Sequence, residues 1–337
     1  MMKEVAVFAT LLAATSLWVW EIRRGEEEVT DTAVLAFDPR GSDLVSVSLV
    51  EPGLETALVV EKRGEKLSTR ITSRVQKKVA QTGPEPAPGE PEWGPAEVRT
   101  FPGNEDATSL VESLAPLKAL RKFEGVDAAG RVEMGLDTPT ASLTLQAGNG
   151  EQVFDLGEKA YSSQDLYAAR RGGEEVYLLP GSVISSLQRA EARLQDRALL
   201  GVSEVDVASL QVGGEVNLTL IQQGRHDKAN AWWKVEGGPE ERQPGAETWV
   251  DKVFALKALS WPTEQELKAQ GEIQGVLTIR PGGETGPLDE IQLGRGGVDP
   301  SRWYGRSQHT GVWVPLAADV AGEVVTTAAD LARAEAE

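Results

Sequence analysis

The chain has 337 residues, 40% of them hydrophobic, which is enough for two ordinary domains that each bury a core. Its 34 Lys and Arg against 52 Asp and Glu give a formal net charge of -18. That balance argues against nucleic acid as a partner, because phosphate binding draws on clustered positive charge, and against lying flat on an anionic membrane. Cysteine is absent, so disulfides, thiolate metal sites and cysteine nucleophiles are excluded.

The first element is apolar. Val5 to Trp20 carries no charge, with Val5, Phe8, Leu11, Leu12 and Leu17 along it and Trp18 and Trp20 at its C-terminal end. It falls slightly short of the roughly 20 residues that cross a bilayer core. Indoles prefer the lipid–water interface, and Arg23 and Arg24 can extend into the headgroups. A cleaved signal peptide is the competing expectation, but tryptophans stand where small cleavage-site residues belong. An uncleaved transmembrane anchor is therefore expected over residues 1–30, with a short cytoplasmic N-terminus and the bulk of the chain outside.

After the anchor the chain repeats itself. Asp43 to Val50 alternates apolar and polar residues and Ala57 to Lys62 follows; Asp206 to Val212 and Asn217 to Gln222 repeat that pair. A tryptophan comes next in each, at Trp93 and at Trp232-Trp233. Helical patterns follow. Asn104 or Asp106 can cap the first, with Leu110, Leu114 and Leu117 on one face; Trp249, Val253 and Leu256 take those places in the second. Leu117-Lys118-Ala119-Leu120, at the end of the first helical pattern, recurs unchanged as Leu256-Lys257-Ala258-Leu259.

Four strands then close each copy. Leu143 to Leu145 matches Leu277 to Ile279, Phe154 to Gly157 matches Ile291 to Gly294, Leu166 to Ala168 matches Trp303 to Gly305, and Val176 to Leu178 matches Val312 to Val314. Glycine-rich turns separate them. Both copies end in a helical pattern, Ser182 to Gln195 and Leu316 to Ala334. The expected fold is α+β: a tandem duplication of a β-β-β-α-β-β-β-β-α unit with largely antiparallel sheets. Its parts would be residues 1–30 as anchor, 31–200 as first repeat and 201–337 as second. Residues 77–103 hold Pro84, Pro86, Pro88, Pro91 and Pro95 without apolar period and are expected to form an extended loop of the first repeat.

Chemistry-bearing residues are sparse. The two histidines, His226 and His309, fall in polar turns and are expected to be exposed. Ser307 near His309 suggests a nucleophile and base, but they share one loop and no elbow motif surrounds the serine. No phosphate loop, dinucleotide fingerprint or calcium loop is present, so no catalytic residue, cofactor or metal site is expected. Trp303, Tyr304 and Trp313 fall on adjacent predicted strands. A face of such aromatics could stack on sugars; packing within the core or between repeats is the other role open to them.

The stretch from Leu114 to Leu200 resembles the DUF4340 family. The resemblance is carried by Leu117 to Leu120, Phe123, Met134-Gly135-Leu136-Asp137-Thr138-Pro139, Asp155-Leu156-Gly157, Leu166 to Ala168, Val176 to Leu178 and Leu194-Gln195-Asp196-Arg197. The second repeat departs from it, with Gly271-Glu272-Ile273 in place of the Gly-Leu-x-x-Pro segment. The resemblance implies a single-pass protein of the bacterial inner membrane with a periplasmic body. It further implies a non-enzymatic accessory or scaffold role beside a gliding-motility-type ABC transporter, with the permease, the ATPase and a GldG-like auxiliary protein as partners. A glycan- or peptidoglycan-binding envelope module is the alternative.

Overall fold

The computed structural model describes residues 33–39, 43–63, 66–78, 93–225, 227 and 230–336. The apolar segment with Val5, Phe8, Leu11, Leu12, Leu17, Trp18 and Trp20, most of the Pro-rich stretch, and His226 lie outside the described residues. Among the described residues no helix is long and apolar enough to cross a membrane.

The architecture is α+β, with sheets whose neighbouring strands run antiparallel. A small pair joins β1 (Val34–Phe37) to β6 (Leu117–Ala119). The first large sheet contains β2 (Leu44–Glu51), β3 (Leu54–Arg63), β4 (Lys66–Val75), β5 (Glu97–Pro102), β7 (Arg121–Phe123), β8 (Ala141–Ala147), β9 (Gly150–Lys159), β10 (Leu166–Arg170) and β11 (Val176–Leu179). Its spatial order is β5-β4-β3-β2-β8-β9-β10-β11-β7. The second contains β12 (Ser209–Gly214), β13 (Leu218–Gln223), β14 (Trp232–Val235), β15 (Ile273–Gly282), β16 (Ile291–Gly296), β17 (Asp299–Arg306) and β18 (Val314–Pro315), ordered β14-β13-β12-β15-β16-β17-β18.

Period-2 alternation sets which face of each strand is buried. Val47 and Leu49 of β2, Leu143 and Leu145 of β8, and Phe154 and Leu156 of β9 point to one face and are buried there. Ser46, Ser48, Ser142 and Thr144 take the other face and are only half-buried. Helices cover the apolar faces. α1 (Glu105–Leu114) starts where Asn104 accepts a hydrogen bond from the Ala107 N–H, and it buries Ala107, Leu110, Val111 and Leu114. Two short helices, α2 (Ala128–Glu133) and α3 (Gly181–Gln188), follow, and then α4 (Ala190–Arg193). In the second half α5 (Pro244–Phe254) buries Ala246, Trp249, Val250 and Val253; α6 (Glu264–Ala269) is held by a capping box from Thr263 and Glu266. The last helix, α7 (Ala318–Ala336), packs on α5, and Trp249 Nε1 donates to the Val324 carbonyl at 2.8 Å. One continuous apolar core runs from Val47, Leu58 and Phe101 through Leu199 and Leu210 to Trp249, Leu277 and Val324.

Three expectations need correction. Leu117-Lys118-Ala119-Leu120 does not end a helix. Pro116 biases Ala115 out of the helical region, α1 stops at Leu114, and Leu117 to Ala119 becomes β6. Lys257 in the second tetrapeptide is likewise extended, bridged to Ala198. The extended loop expected over 77–103 contains a strand, β5, which closes the edge of the first sheet against β4; Pro102 is tolerated because that edge needs no further donor. Sequence pattern also missed β4. Its inward positions include buried Thr69 and Ser73 beside Ile71, so no apolar alternation marks it, although it is paired to β3 along its whole length.

Candidate functional site

The residues singled out from sequence do not converge on one another. Trp303 and Tyr304 are only 4% and 7% exposed, and as neighbours on β17 they point to opposite faces. Trp303 joins the core, with the Arg295 guanidinium 4.1 Å from its ring centre. Tyr304 lies on the other side, at the wall of a cleft that Glu266 and Ala269 of α6 also line. Trp313 is half-buried, and its carbonyl accepts from Gln270 Nε2 at 3.4 Å. The exposed aromatic face that sugar stacking requires is not formed, because Trp303 and Tyr304 are covered on opposite faces of β17 and Trp313 precedes β18.

His309 is not an exposed turn residue. Its side chain is largely covered, and Nε2 stands 3.0 Å from Asp196 Oδ2. Gly201 lies flat against the imidazole; a Cβ there would come within 2.5 Å of Nδ1. Ser307 is buried, and its hydroxyl donates to the Leu199 carbonyl at 2.5 Å rather than to the histidine. A nucleophile needs its base within hydrogen-bond reach; here serine and histidine each hold a different part of the connecting segment.

That segment is the seam between the two large sheets. Leu199 N donates to the Leu256 carbonyl at 3.0 Å and Ala258 N to the Arg197 carbonyl at 2.8 Å. Arg70 Nη2 on β4 donates to the His309 carbonyl at 3.2 Å. Phe101 packs against Trp261 with ring centres 6.3 Å apart, and Arg99 on β5 bridges to Thr263. Burial works to raise the Asp196 carboxyl. The hydrogen bonds to His309 and from the Ala198 N–H, with the charges of His309 and Lys257, outweigh it and hold the group below its ordinary value. The seam is thus built to keep a carboxylate charged in a partly dry place.

Two clefts remain. One, of about 420 Å³, lies between β1, the β8–β9 turn and β10–β11. Arg170 donates there to Gln152 Oε1 at 2.5 Å and to Glu175 Oε2 at 3.1 Å, and Lys122 pairs with Glu175 at 3.0 Å. Hydrogen bonds from Lys122 and Arg170 keep the Glu175 carboxyl below the usual range. The other, of about 350 Å³, has Tyr304 at its wall with Pro262, Ala269, Val298 and Pro315, and a rim of Glu266, Asp299 and Arg302. Among the described residues no three His, Asp or Glu side chains gather as metal ligands.

The Met134 to Pro139 segment does packing work. Gly135 has φ +66°, which a side chain strains to adopt, and a Cβ there would meet Glu158 backbone at 3.0 Å. Gly157 lets the Met134 carbonyl approach; a Cβ would come within 2.1 Å of it. Glu158 N then donates to that carbonyl at 2.8 Å. This seats buried Leu136 on Ala169 and Val176, with Phe123, Val126, Met134 and Tyr167 around it.

Residues 93–272 match the family described as "Domain of unknown function (DUF4340)", and the chain belongs to it. No curated protein and no solved structure shows significant similarity to the chain. The seam residues Arg70, Arg99, Asp196 and Trp261 were not legible as a group, since their partners lie far away in sequence. Asp196 did stand in a segment that carried the family resemblance.

Proposed function

We propose that this chain is a non-enzymatic, membrane-anchored accessory or scaffold subunit of a gliding-motility-type ABC transporter. It acts in the periplasm through protein–protein contacts with the permease and a GldG-like auxiliary protein, and through them with the ATPase. The observation that carries this is the single core that runs through both sheets. The seam ties it with backbone pairing, an aromatic contact and a buried-side ion pair, so the two sheets form one stiff body with broad polar faces. Such a body suits a spacer or platform held to a membrane by Val5 to Trp20. The family matched over residues 93–272 is the one whose resemblance implied this role, and its own description names no function.

The fold is read as a tandem duplication following a transmembrane helix, with copies at 31–200 and 201–337. Support comes from the common strand order: β4-β3-β2-β8-β9-β10-β11 in one sheet and β14-β13-β12-β15-β16-β17-β18 in the other. The tetrapeptides support it too. Leu120 N donates to the Leu178 carbonyl of β11, and Leu259 N to the Pro315 carbonyl of β18.

Co-purification of the full-length chain from detergent-solubilised membranes tests the function. Permease and ATPase are expected to be retained; their absence would remove the proposal. An alkaline-phosphatase fusion at the C-terminus is expected to be active, and inactivity would reverse the topology.

A further inference from the structure

The direction of β1 tells at which end of the first sheet the chain arrives from Val5 to Trp20. The first described residue is Ala33. Val34 pairs with Ala119, and the residue after Ala119, Leu120, donates its N–H to the Leu178 carbonyl. Leu179 is paired with Leu166, the first residue of β10, and Leu166 with Lys159, the last of β9. The chain therefore arrives at the end of the sheet where β9 turns into β10. It leaves β1 toward the other end, where Asn149, in the turn between β8 and β9, donates from Nδ2 to the Pro39 carbonyl at 2.8 Å. β9 is ten residues long, so the two ends stand roughly 30 Å apart.

At the arrival end an aromatic ring stands clear of the body. Tyr161, in the turn from β9 to β10, is 97% exposed. The turn is firmly held. Ala160 N donates to the Asp165 carbonyl at 2.8 Å, and Gly181 N donates to Asp165 Oδ1 at 3.0 Å. Lys159 Nζ donates to Gln164 Oε1 at 2.6 Å. Gly181 lies so close that a Cβ there would come within 2.0 Å of the Gln164 carbonyl oxygen. Ser162, next to the tyrosine, holds φ +58°, a conformation that costs a residue with a side chain. A ring held out on such a turn buries nothing and adds no stability to the fold. Leu120, 49% exposed, stands at the same end beside the start of β1. The exposed charges around these two apolar groups are mixed, with Lys118, Arg121 and Lys159 against Glu158.

We propose that this end of the first sheet rests on the bilayer that holds Val5 to Trp20, with Tyr161 seated among the headgroups of a neutral, zwitterionic lipid surface. The inference rests on the reading of that segment as an uncleaved anchor. Residues 21–32 link Trp20 to Ala33 and span at most about 40 Å. They deliver the chain to the end that carries Tyr161 and not to the end that carries Asn149. Tyrosine favours the lipid–water interface, because its ring is apolar and its hydroxyl stays wet. The net charge of -18 opposes a broad contact with anionic lipid. A contact limited to one turn and its neighbours, on a surface without net charge, meets no such repulsion. β9 then leads away from the membrane, and the turn between β8 and β9 is the distal end of the sheet.

The chain has no cysteine, so single labels can be placed in the full-length protein without other changes. Tyr161→Cys, Leu120→Cys and Glu151→Cys, the last at the distal end of β9, are each given an NBD fluorophore and reconstituted into phosphatidylcholine vesicles. A phosphatidylcholine carrying a headgroup nitroxide is expected to quench the labels at 161 and 120 and to leave the label at 151 bright. The emission at 161 is also expected to shift to shorter wavelength on transfer from detergent to vesicles. The label at 120 keeps the test independent of the loss of the tyrosine itself. Equal quenching at 161 and 151, or none at either, in a chain that stays with the vesicles would overturn the proposal and leave the anchor standing. A chain that separates from the vesicles would remove the anchor reading and this inference with it. Quenching at 161 only after phosphatidylglycerol is added would mark attraction to anionic headgroups and overturn the choice of a neutral surface. Shielding of the 161 label by co-purified permease, with no quenching by lipid, would assign the turn to a protein contact and overturn the proposal as well.

Discussion

The β11 edge and the β18 edge begin alike and end differently. Each receives a backbone hydrogen bond from the last leucine of the same tetrapeptide, Leu120 or Leu259, and each has a tyrosine nearby, Tyr167 or Tyr304. One edge is then closed by β7 and sealed with Phe123, Met134 and Leu136. The other is left with a cleft. The difference lies in a few side chains on a shared strand order. The apolar plug belongs to the first sheet; beside the second, the segment after Leu259 serves the seam instead, with Trp261 packed on Phe101.

The largest expected effect tests the helical side of the second half against the first. Trp249→Ala removes a fully buried indole and its bond to Val324 and should cost about 3–5 kcal/mol, as large core truncations do. Urea unfolding should still show one transition, because the core is continuous; two separated transitions would show that the halves fold independently. Next, Leu136→Glu copies the second half into the first. It places a carboxylate in the plug over Ala169 and Val176 and should cost about 3 kcal/mol from lost burial and desolvation. The reverse change, Glu272→Leu at an exposed position, should move stability by no more than about 0.5 kcal/mol. Equal costs in both directions would break the contrast between the edges.

The seam gives a smaller, pH-dependent effect. Asp196→Asn should cost about 1.5–3 kcal/mol, the range for a hydrogen bond to a charged group. The folded-state value of Asp196 lies below its ordinary 3.8. Its contribution is therefore present above that pH and lost as pH falls through the lower folded value. The gap in denaturation midpoint between Asp196→Asn and the parent should close as the pH is taken below 3.8; a gap unchanged there would remove the carboxylate from the seam's stability. The smallest effect is at the helix starts. Asn104 caps α1, whereas α5 begins at Pro244 with no side-chain cap. Asn104→Ala should cost about 1 kcal/mol in thermal or urea unfolding.

Much of the strand pattern was readable because period-2 alternation survives wherever one face is buried. Asp43 to Val50 and Leu143 to Leu145 were found for that reason, and they became the centre of the first sheet. β4 and β5 were not readable, since Thr69, Ser73 and Arg99 occupy their inward positions. The tetrapeptide at Leu117 read as helix because its apolar spacing fits a helix, and Pro116 decided otherwise.

The candidate site divides in the same way. The sequence alone held the charge, the absence of cysteine, the strand alternation and the family segment from Met134 to Pro139, since each depends on composition or on neighbours along the chain. Only the tertiary structure decided that Trp303 and Tyr304 lie on opposite faces with neither exposed. It also decided that His309 meets Asp196, and that one edge carries an apolar plug while its counterpart borders a cleft. Those outcomes depend on which distant segments meet, and local periodicity carries no record of that.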